Sequence, residues 1–105
     1  MAAAPIQFIY VLRPAPLLCD ASNWTDREEE IVERHLARLQ ELLEKGKLLL
    51  AGKTSGLDEK TFGIVILEVG SPEEAATIMN ADPAVSEEIM TAELYPYSIA
   101  LLREK

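Results

Sequence analysis

A long amphipathic helix pattern, flanked by short apolar runs, is the feature that most constrains the fold of this chain. Between residues 31 and 43, apolar residues recur at intervals of three and four, and His35 lies on or beside the same stripe. Thr25 and Glu28 have the spacing of a capping box before this stretch, and Gly46 is suited to a left-handed cap after it. The pattern therefore predicts one helix with a defined start and end.

The remaining patterns complete the element order β-α-β-β-α-β. Short runs that alternate with period two, or that are continuously apolar, predict four strands at residues 6–13, 47–52, 62–69 and about 90–103. A second helix begins at Ser71-Pro72 and ends near Asp82, and a turn over 83–88 follows. This order predicts an α+β, ferredoxin-like domain with an antiparallel sheet and both helices on one face. We expect one such domain over residues 1–105.

Composition excludes several classes of function. The chain has 10 basic and 18 acidic residues, a formal net charge of -8, so it would repel nucleic acid and anionic membranes. The apolar run Ile6 to Leu12 is too short to cross a bilayer, and residues 1–5 carry no basic segment of a targeting signal. One cysteine, Cys19, and one histidine give no internal disulfide and no zinc-ligand spacing. We expect a cytoplasmic protein without a metal or another cofactor.

The predicted sheet has apolar side chains on both faces. Strands three and four place apolar residues on one face (Phe62, Ile64, Ile66, Tyr95, Tyr97, Ile99, Leu101) and on the other (Val65, Leu67, Val69, Leu94, Ala100, Leu102). Two helices cover only one face, and the other would exceed the roughly few hundred Å² of apolar patch that soluble monomers expose. This predicts a homodimer with a two-fold interface. The alternative is a monomer whose loops cover the sheet.

Two residues can support chemistry, His35 and Asp82. An imidazole exchanges protons near neutral pH, and a carboxylate bonded to its other nitrogen would fix its tautomer. Each residue also has a structural interpretation: His35 as a packed helix residue, and Asp82 as the N-cap of the turn that Pro83 begins. The sequence leaves both interpretations open, and it leaves the role of Cys19 open as well.

The sequence resembles the YCII-related (YciI-like) family. The similar segments are His35-Leu36-Ala37-Arg38-Leu39-Gln40, Glu44-Lys45-Gly46-Lys47-Leu48, Leu50-Ala51-Gly52, Ser71-Pro72-Glu73-Glu74-Ala75-Ala76 and Ala81-Asp82-Pro83-Ala84-Val85. The resemblance implies a ferredoxin-like protomer that dimerises into an α+β barrel. It also implies a pocket near a histidine and an aspartate that act as a pair, here His35 and Asp82.

Two hypotheses for function follow from the residues and the resemblance. In the first, the protein is a cofactor-independent lyase or isomerase for a small cyclic or aromatic substrate, with His35 as base and Asp82 as its orienting partner. Tyr10, Ser22 and Trp24 are then candidates for the substrate-binding wall, because the loop after the first strand opens beside the first helix. In the second, the protein is a non-catalytic module that binds a small ligand or a second copy, and His35 is structural.

Overall fold

The computed structural model describes residues 6–103 and has the predicted element order, with one additional short α-helix and two short 3-10 helices (Pro16–Cys19 and Ala21–Asn23) in the first loop. Its elements are β1 (Ile6–Pro14), α1 (Asp26–Glu44), β2 (Leu48–Lys53), β3 (Gly63–Val69), α2 (Pro72–Ala81), α3 (Pro83–Ser86) and β4 (Met90–Pro96). The strands form one sheet in the order β2-β3-β1-β4, and each neighbouring pair is antiparallel. The predicted α+β, ferredoxin-like fold is confirmed. Residues 1–5 and 104–105, which belong to the single domain predicted over 1–105, lie outside the described part.

Local signals fix both ends of α1. The backbone N–H of Thr25 donates to Glu28 Oε1 at 2.8 Å, and the Thr25 side chain accepts from the first turn, so the predicted capping box is present. At the other end Gly46 adopts a left-handed conformation with φ of 76°. The N–H groups of Gly46 and Lys47 then donate to the carbonyls of Leu43 and Leu42, which closes the last turn. These contacts hold in place the helix that carries His35.

The core lies between the sheet and the helices. It is formed by alternate residues of the central strands and by the inward stripes of α1 and α2, namely Phe8, Tyr10, Leu12, Val65, Leu67, Val69, Leu39, Leu42, Ala75 and Ile78. The alternation places side chains of opposite parity, such as Ile9 and Val11, on the other face of the sheet, where they are half-buried. Tyr95 and Tyr97 are exposed. Apart from Ile66, which is buried, this apolar face is therefore uncovered or only half-covered within this protomer.

The prediction that the fourth strand continues to Arg103 is wrong. β4 ends at Pro96, which pairs with Phe8 of β1. Since β1 itself begins at Ile6, almost no partner strand remains beyond this point. The last contacts are from the N–H groups of Tyr97 and Ile99 to the backbone and side-chain oxygens of Gln7. After these two contacts, the side chains of Leu101 and Leu102 are 94% and 67% exposed.

Over residues 6–103, no helix combines the length and the apolar character that a membrane crossing requires.

Candidate functional site

The fold brings His35 and Asp82 into direct contact. His35 lies in the middle of α1, and Asp82 lies at the junction of α2 and α3, 47 residues further along the chain. The His35 Nδ1 atom is 2.6 Å from Asp82 Oδ1. Both side chains are buried, with exposed fractions of 8% for His35 and 1% for Asp82. Two residues that are distant in sequence thus share one hydrogen bond away from bulk water.

The Asp82 carboxylate accepts two further hydrogen bonds. Its Oδ1 accepts from the backbone N–H of Ala84 at 2.9 Å, which makes Asp82 the N-cap of α3. Its Oδ2 accepts from the hydroxyl of Tyr10, in the middle of β1, at 2.8 Å. The cap role and the contact with His35 therefore coexist in one side chain.

Burial keeps the Tyr10 hydroxyl protonated. The pKa of Tyr10 is raised far above its usual range, chiefly by desolvation and secondly by the negative charge of Asp82. The positive charge of Arg38 opposes these effects only in part. Tyr10 is therefore a permanent hydrogen-bond donor to Asp82 in the pH range in which proteins work.

This arrangement determines which nitrogen of His35 carries the proton. Tyr10 and Ala84 are both donors to the carboxylate, so Asp82 acts as an acceptor and the His35 Nδ1 supplies the third N–H. The neutral ring then has an unprotonated Nε2. Throughout the described residues, every fully buried side-chain nitrogen or oxygen has a hydrogen-bond partner. His35 Nε2 has no hydrogen-bond partner among the described residues, so this atom must be accessible to solvent. The His35 ring lines a cavity.

The cavity beside His35 has a volume of about 720 Å³, a size typical of small-molecule sites. Its walls are mostly apolar and come from β1, α1, the β2–β3 hairpin and the start of β4; they include Leu12, Val32, Leu36, Leu39, Leu57, Phe62 and Met90. Three charged residues, Glu29, Glu33 and Lys53, also line it and are exposed. Lys53 Nζ donates to the backbone oxygens of Thr54 and Gly56, which ties this lysine to the hairpin.

The candidate wall residues have different positions. Trp24 lines the cavity, and its indole N–H donates to the Leu18 carbonyl at 2.8 Å. Ser22 is exposed and bonds to Asp20, away from the cavity wall. Tyr10 has no exposed surface and lies behind Asp82, so it contacts the carboxylate and not the cavity.

The β2–β3 hairpin contributes to the cavity wall, although none of its residues was a candidate from the sequence. Ala51, Gly52, Lys53, Phe62 and Gly63 all line the cavity. A signal was present in the small pair Ala51-Gly52, because small side chains on β2 leave space between the sheet edge and α1. A Cβ atom added at Gly52 would meet no atom within 4 Å. Within residues 6–103, no three His, Cys, Asp or Glu side chains lie close enough together to hold a metal ion.

Comparisons with known proteins agree with this fold. Residues 12–97 match the family model of the YCII-related domain. Among solved structures, the chain is similar to the 5-chloro-2-hydroxyhydroquinone dehydrochlorinase of Burkholderia phenoliruptrix AC1100, in its complex with 2,5-dihydroxybenzoquinone. The TM-score is 0.67 at 21% identity, and the match covers 89% of this chain and 94% of the dehydrochlorinase chain. Among curated proteins, none matches this chain significantly.

Proposed function

This chain belongs to the YCII-related family, and we propose that it is a cofactor-independent enzyme of the lyase or isomerase type, with His35 as general base and Asp82 as its orienting partner. The observation that carries the proposal is the 2.6 Å contact from His35 Nδ1 to Asp82, which leaves the opposite nitrogen as an acceptor beside the cavity. A base must reach its proton with the correct tautomer, and this geometry supports both requirements.

The proposed chemistry is proton abstraction followed by elimination or isomerisation. Nε2 takes a proton from a hydroxyl group or from a carbon next to a carbonyl, and the electron pair left behind moves into the ring of the substrate. In an elimination, a leaving group departs with its bonding electrons; in an isomerisation, the imidazolium returns the proton at another atom. Asp82 stabilises the imidazolium through the Nδ1–H bond. General-base catalysis of this kind contributes about 10²–10⁴-fold in rate.

The cavity supports a small ring as the substrate. Phe62, Trp24 and Met90 offer apolar surface on which a flat ring can pack, and His35 offers one acceptor. The structure of the similar dehydrochlorinase is a complex with 2,5-dihydroxybenzoquinone, a molecule of this class. We therefore propose hydroxylated aromatic or quinonoid rings as the first compounds to test.

We also propose that the protein is a homodimer formed through the uncovered face of its sheet, and that it works in the cytoplasm. Ile9, Val11 and Ile64 are half-buried on this face, and Tyr95 and Tyr97 are exposed next to them. A two-fold interface would cover this surface on both copies. Light scattering at micromolar concentration tests the dimer, and a monomer mass would contradict it.

The second candidate is a non-catalytic module that binds a small ligand. The observation in its favour is that Asp82 already has a structural task as the cap of α3, so the bond from His35 also stabilises the fold. In this case the cavity binds a ligand, and the imidazole contributes only packing and one hydrogen bond.

Replacement of His35 by Asn separates the two candidates. The Asn amide N–H can take the place of the Nδ1–H toward Asp82, but it offers no base to the cavity. The enzyme proposal expects a folded His35→Asn variant that binds a ring compound yet turns it over at least about 100-fold more slowly than the wild type. Substrates are sought by following the ultraviolet absorbance of chlorinated and hydroxylated quinols. Unchanged turnover in His35→Asn would contradict the role of His35 as base, and binding without turnover by the wild type would favour the second candidate.

A further inference from the structure

We propose that Tyr10 is a positioning residue, which holds the Asp82 carboxylate in the orientation that fixes the tautomer of His35. The inference rests on the proposed function of His35, but it concerns a residue that does not touch the cavity. Tyr10 is fully buried in the centre of the sheet, where its backbone pairs with Val65 of β3 and Leu94 of β4. Its hydroxyl meets Oδ2 of Asp82 at 2.8 Å.

The distribution of donors over the carboxylate gives Tyr10 this role. His35 Nδ1 and Ala84 N both bond to Oδ1, and the Tyr10 hydroxyl is the partner of Oδ2. The terminal torsion of an aspartate side chain is broad and nearly two-fold, so donors on one oxygen alone constrain it weakly. A donor on the second oxygen anchors the plane of the carboxylate. Tyr10 thereby keeps one carboxylate oxygen in line with both the imidazole and the Ala84 N–H.

The position of Tyr10 is suited to an anchor. It lies on a central strand that has a partner strand on each side, so its backbone cannot move without disturbing the sheet. A phenylalanine would fill almost the same volume in this apolar core. The hydroxyl is therefore the part of the side chain that a core role does not require, and its partner is the carboxylate of the site.

Other charged groups around the site do not replace this anchor. Arg38 on α1 is near enough to Tyr10 to affect its pKa, and it forms its ion pair with Glu41. Glu29 and Glu33 from α1 and Lys53 from β2 line the cavity, and within the described residues none of the three is a hydrogen-bond partner of Asp82. Within the described residues, the hydrogen bonds of Asp82 Oδ2 come from Tyr10 alone.

Nitrogen NMR of the imidazole tests the proposal, because the chain contains a single histidine and its signals need no assignment. The 15N shifts of the two ring nitrogens report the ratio of the tautomers at a pH at which the ring is neutral. In the wild type we expect the Nδ1–H tautomer to dominate. In Tyr10→Phe we expect the ratio to move about tenfold toward Nε2–H, the change that loss of one good hydrogen bond produces. Tyr97→Phe, at an exposed tyrosine, is the matched control and should leave the ratio unchanged.

The outcomes separate this proposal from the proposed function. A folded Tyr10→Phe variant with the wild-type tautomer ratio would show that Tyr10 is only a core residue, while His35 could still be the base. A wild type that is mainly Nε2–H would instead overturn the role of His35 as base.

If Tyr10→Phe does not fold, a second test keeps the wild-type sequence but incorporates 3-fluorotyrosine at all three tyrosine positions. The fluorine makes the tyrosine hydroxyl a stronger hydrogen-bond donor and leaves its shape nearly the same. Because the carboxylate then shares its charge more with Tyr10, we expect the His35 Nδ1–H proton signal to move upfield. An unmoved signal would overturn the proposal.

Discussion

Asp82 allows a quantitative test of how the site is built, by comparison of Asp82→Ala with Asp82→Asn. The alanine variant removes the acceptor of three donors, namely Ala84 N–H, Tyr10 O–H and His35 Nδ1–H. Loss of a helix cap costs about 1 kcal/mol, and each buried donor that loses its acceptor costs about 1–3 kcal/mol. Because the three contacts share one group, these costs overlap, and we expect a loss of about 3–5 kcal/mol in the free energy of unfolding.

The asparagine variant should be much more stable than the alanine variant. Its amide oxygen can accept from Ala84 and His35 in the manner of Oδ1, and its NH₂ group can donate to the Tyr10 hydroxyl, which accepts after rotation. The shape and the hydrogen bonds are retained while the charge is lost. We expect a cost of about 1–2 kcal/mol, together with a loss of turnover, because an amide stabilises the imidazolium poorly.

Urea unfolding, followed by the fluorescence of the single tryptophan, Trp24, gives both values. The protein concentration must be the same for all variants, because dimer formation would add to the apparent stability. Equal stability of the alanine and asparagine variants would refute the reasoning, since the carboxylate would then not be the acceptor that the geometry indicates.

Three further changes test the cavity, the turn before β4 and the cap of α1. Ala51→Phe points a large side chain to the helix side of β2 and should abolish ring binding measured by titration calorimetry, whereas Leu50→Phe, on the opposite face, should preserve it. Glu88 has a left-handed backbone with φ of 62°, so Glu88→Gly should raise the thermal midpoint through a gain of up to about 1 kcal/mol; a lower midpoint would contradict this. Hydrogen bonds from Thr25 lower the pKa of Glu28 from 4.5 to about 2. The ionised Glu28 carboxylate therefore stabilises the fold fully at a pH above 4.5, and this stabilisation is lost as the pH falls toward 2. The difference in free energy of unfolding between the wild type and Glu28→Gln should therefore become smaller as the pH is lowered from 4.5 to 2. A difference that does not change with pH would show that the ionised cap is not the cause of the extra stability.

The helices were predictable because their ends are encoded locally. Thr25 and Glu28 lie within one turn of each other, and Gly46 needs only its own backbone freedom, so short stretches of sequence determine where α1 begins and ends. The end of β4 has no such signal. Beyond Pro96, apolar residues alternate with other residues as they do in a strand. A strand also needs a partner strand, however, and β1, the partner of β4, begins only two residues before Phe8, which pairs with Pro96.

The site was predictable only in part, for a related reason. The resemblance to a family indicated His35 and Asp82, whereas no spacing rule places residues 47 positions apart in contact. Tyr10 lies on the same face of β1 as Phe8 and Leu12, and this alternation predicts a core position without revealing the carboxylate beneath it. Ser22 was proposed for its place in the first loop, but the turn formed with Asp20 directs it to solvent.

Under the proposed function, the chemistry of this site and part of its specificity belong to different parts of the fold. His35, Asp82 and Tyr10 come from a helix, a helix cap and a central strand, which are held by core packing and the sheet ladder. The cavity wall comes from α1, from β2 and β3, and also from residues between these elements, namely Trp24, Leu57, Thr61 and Phe62. Such connecting residues tolerate substitution better than the elements they join. If the protein binds a ring as proposed, substitutions at these connecting residues would change which ring is bound while the contact from His35 to Asp82 persists. In this protein, rigid elements would then position the reacting groups, and connecting residues would shape part of the space beside them.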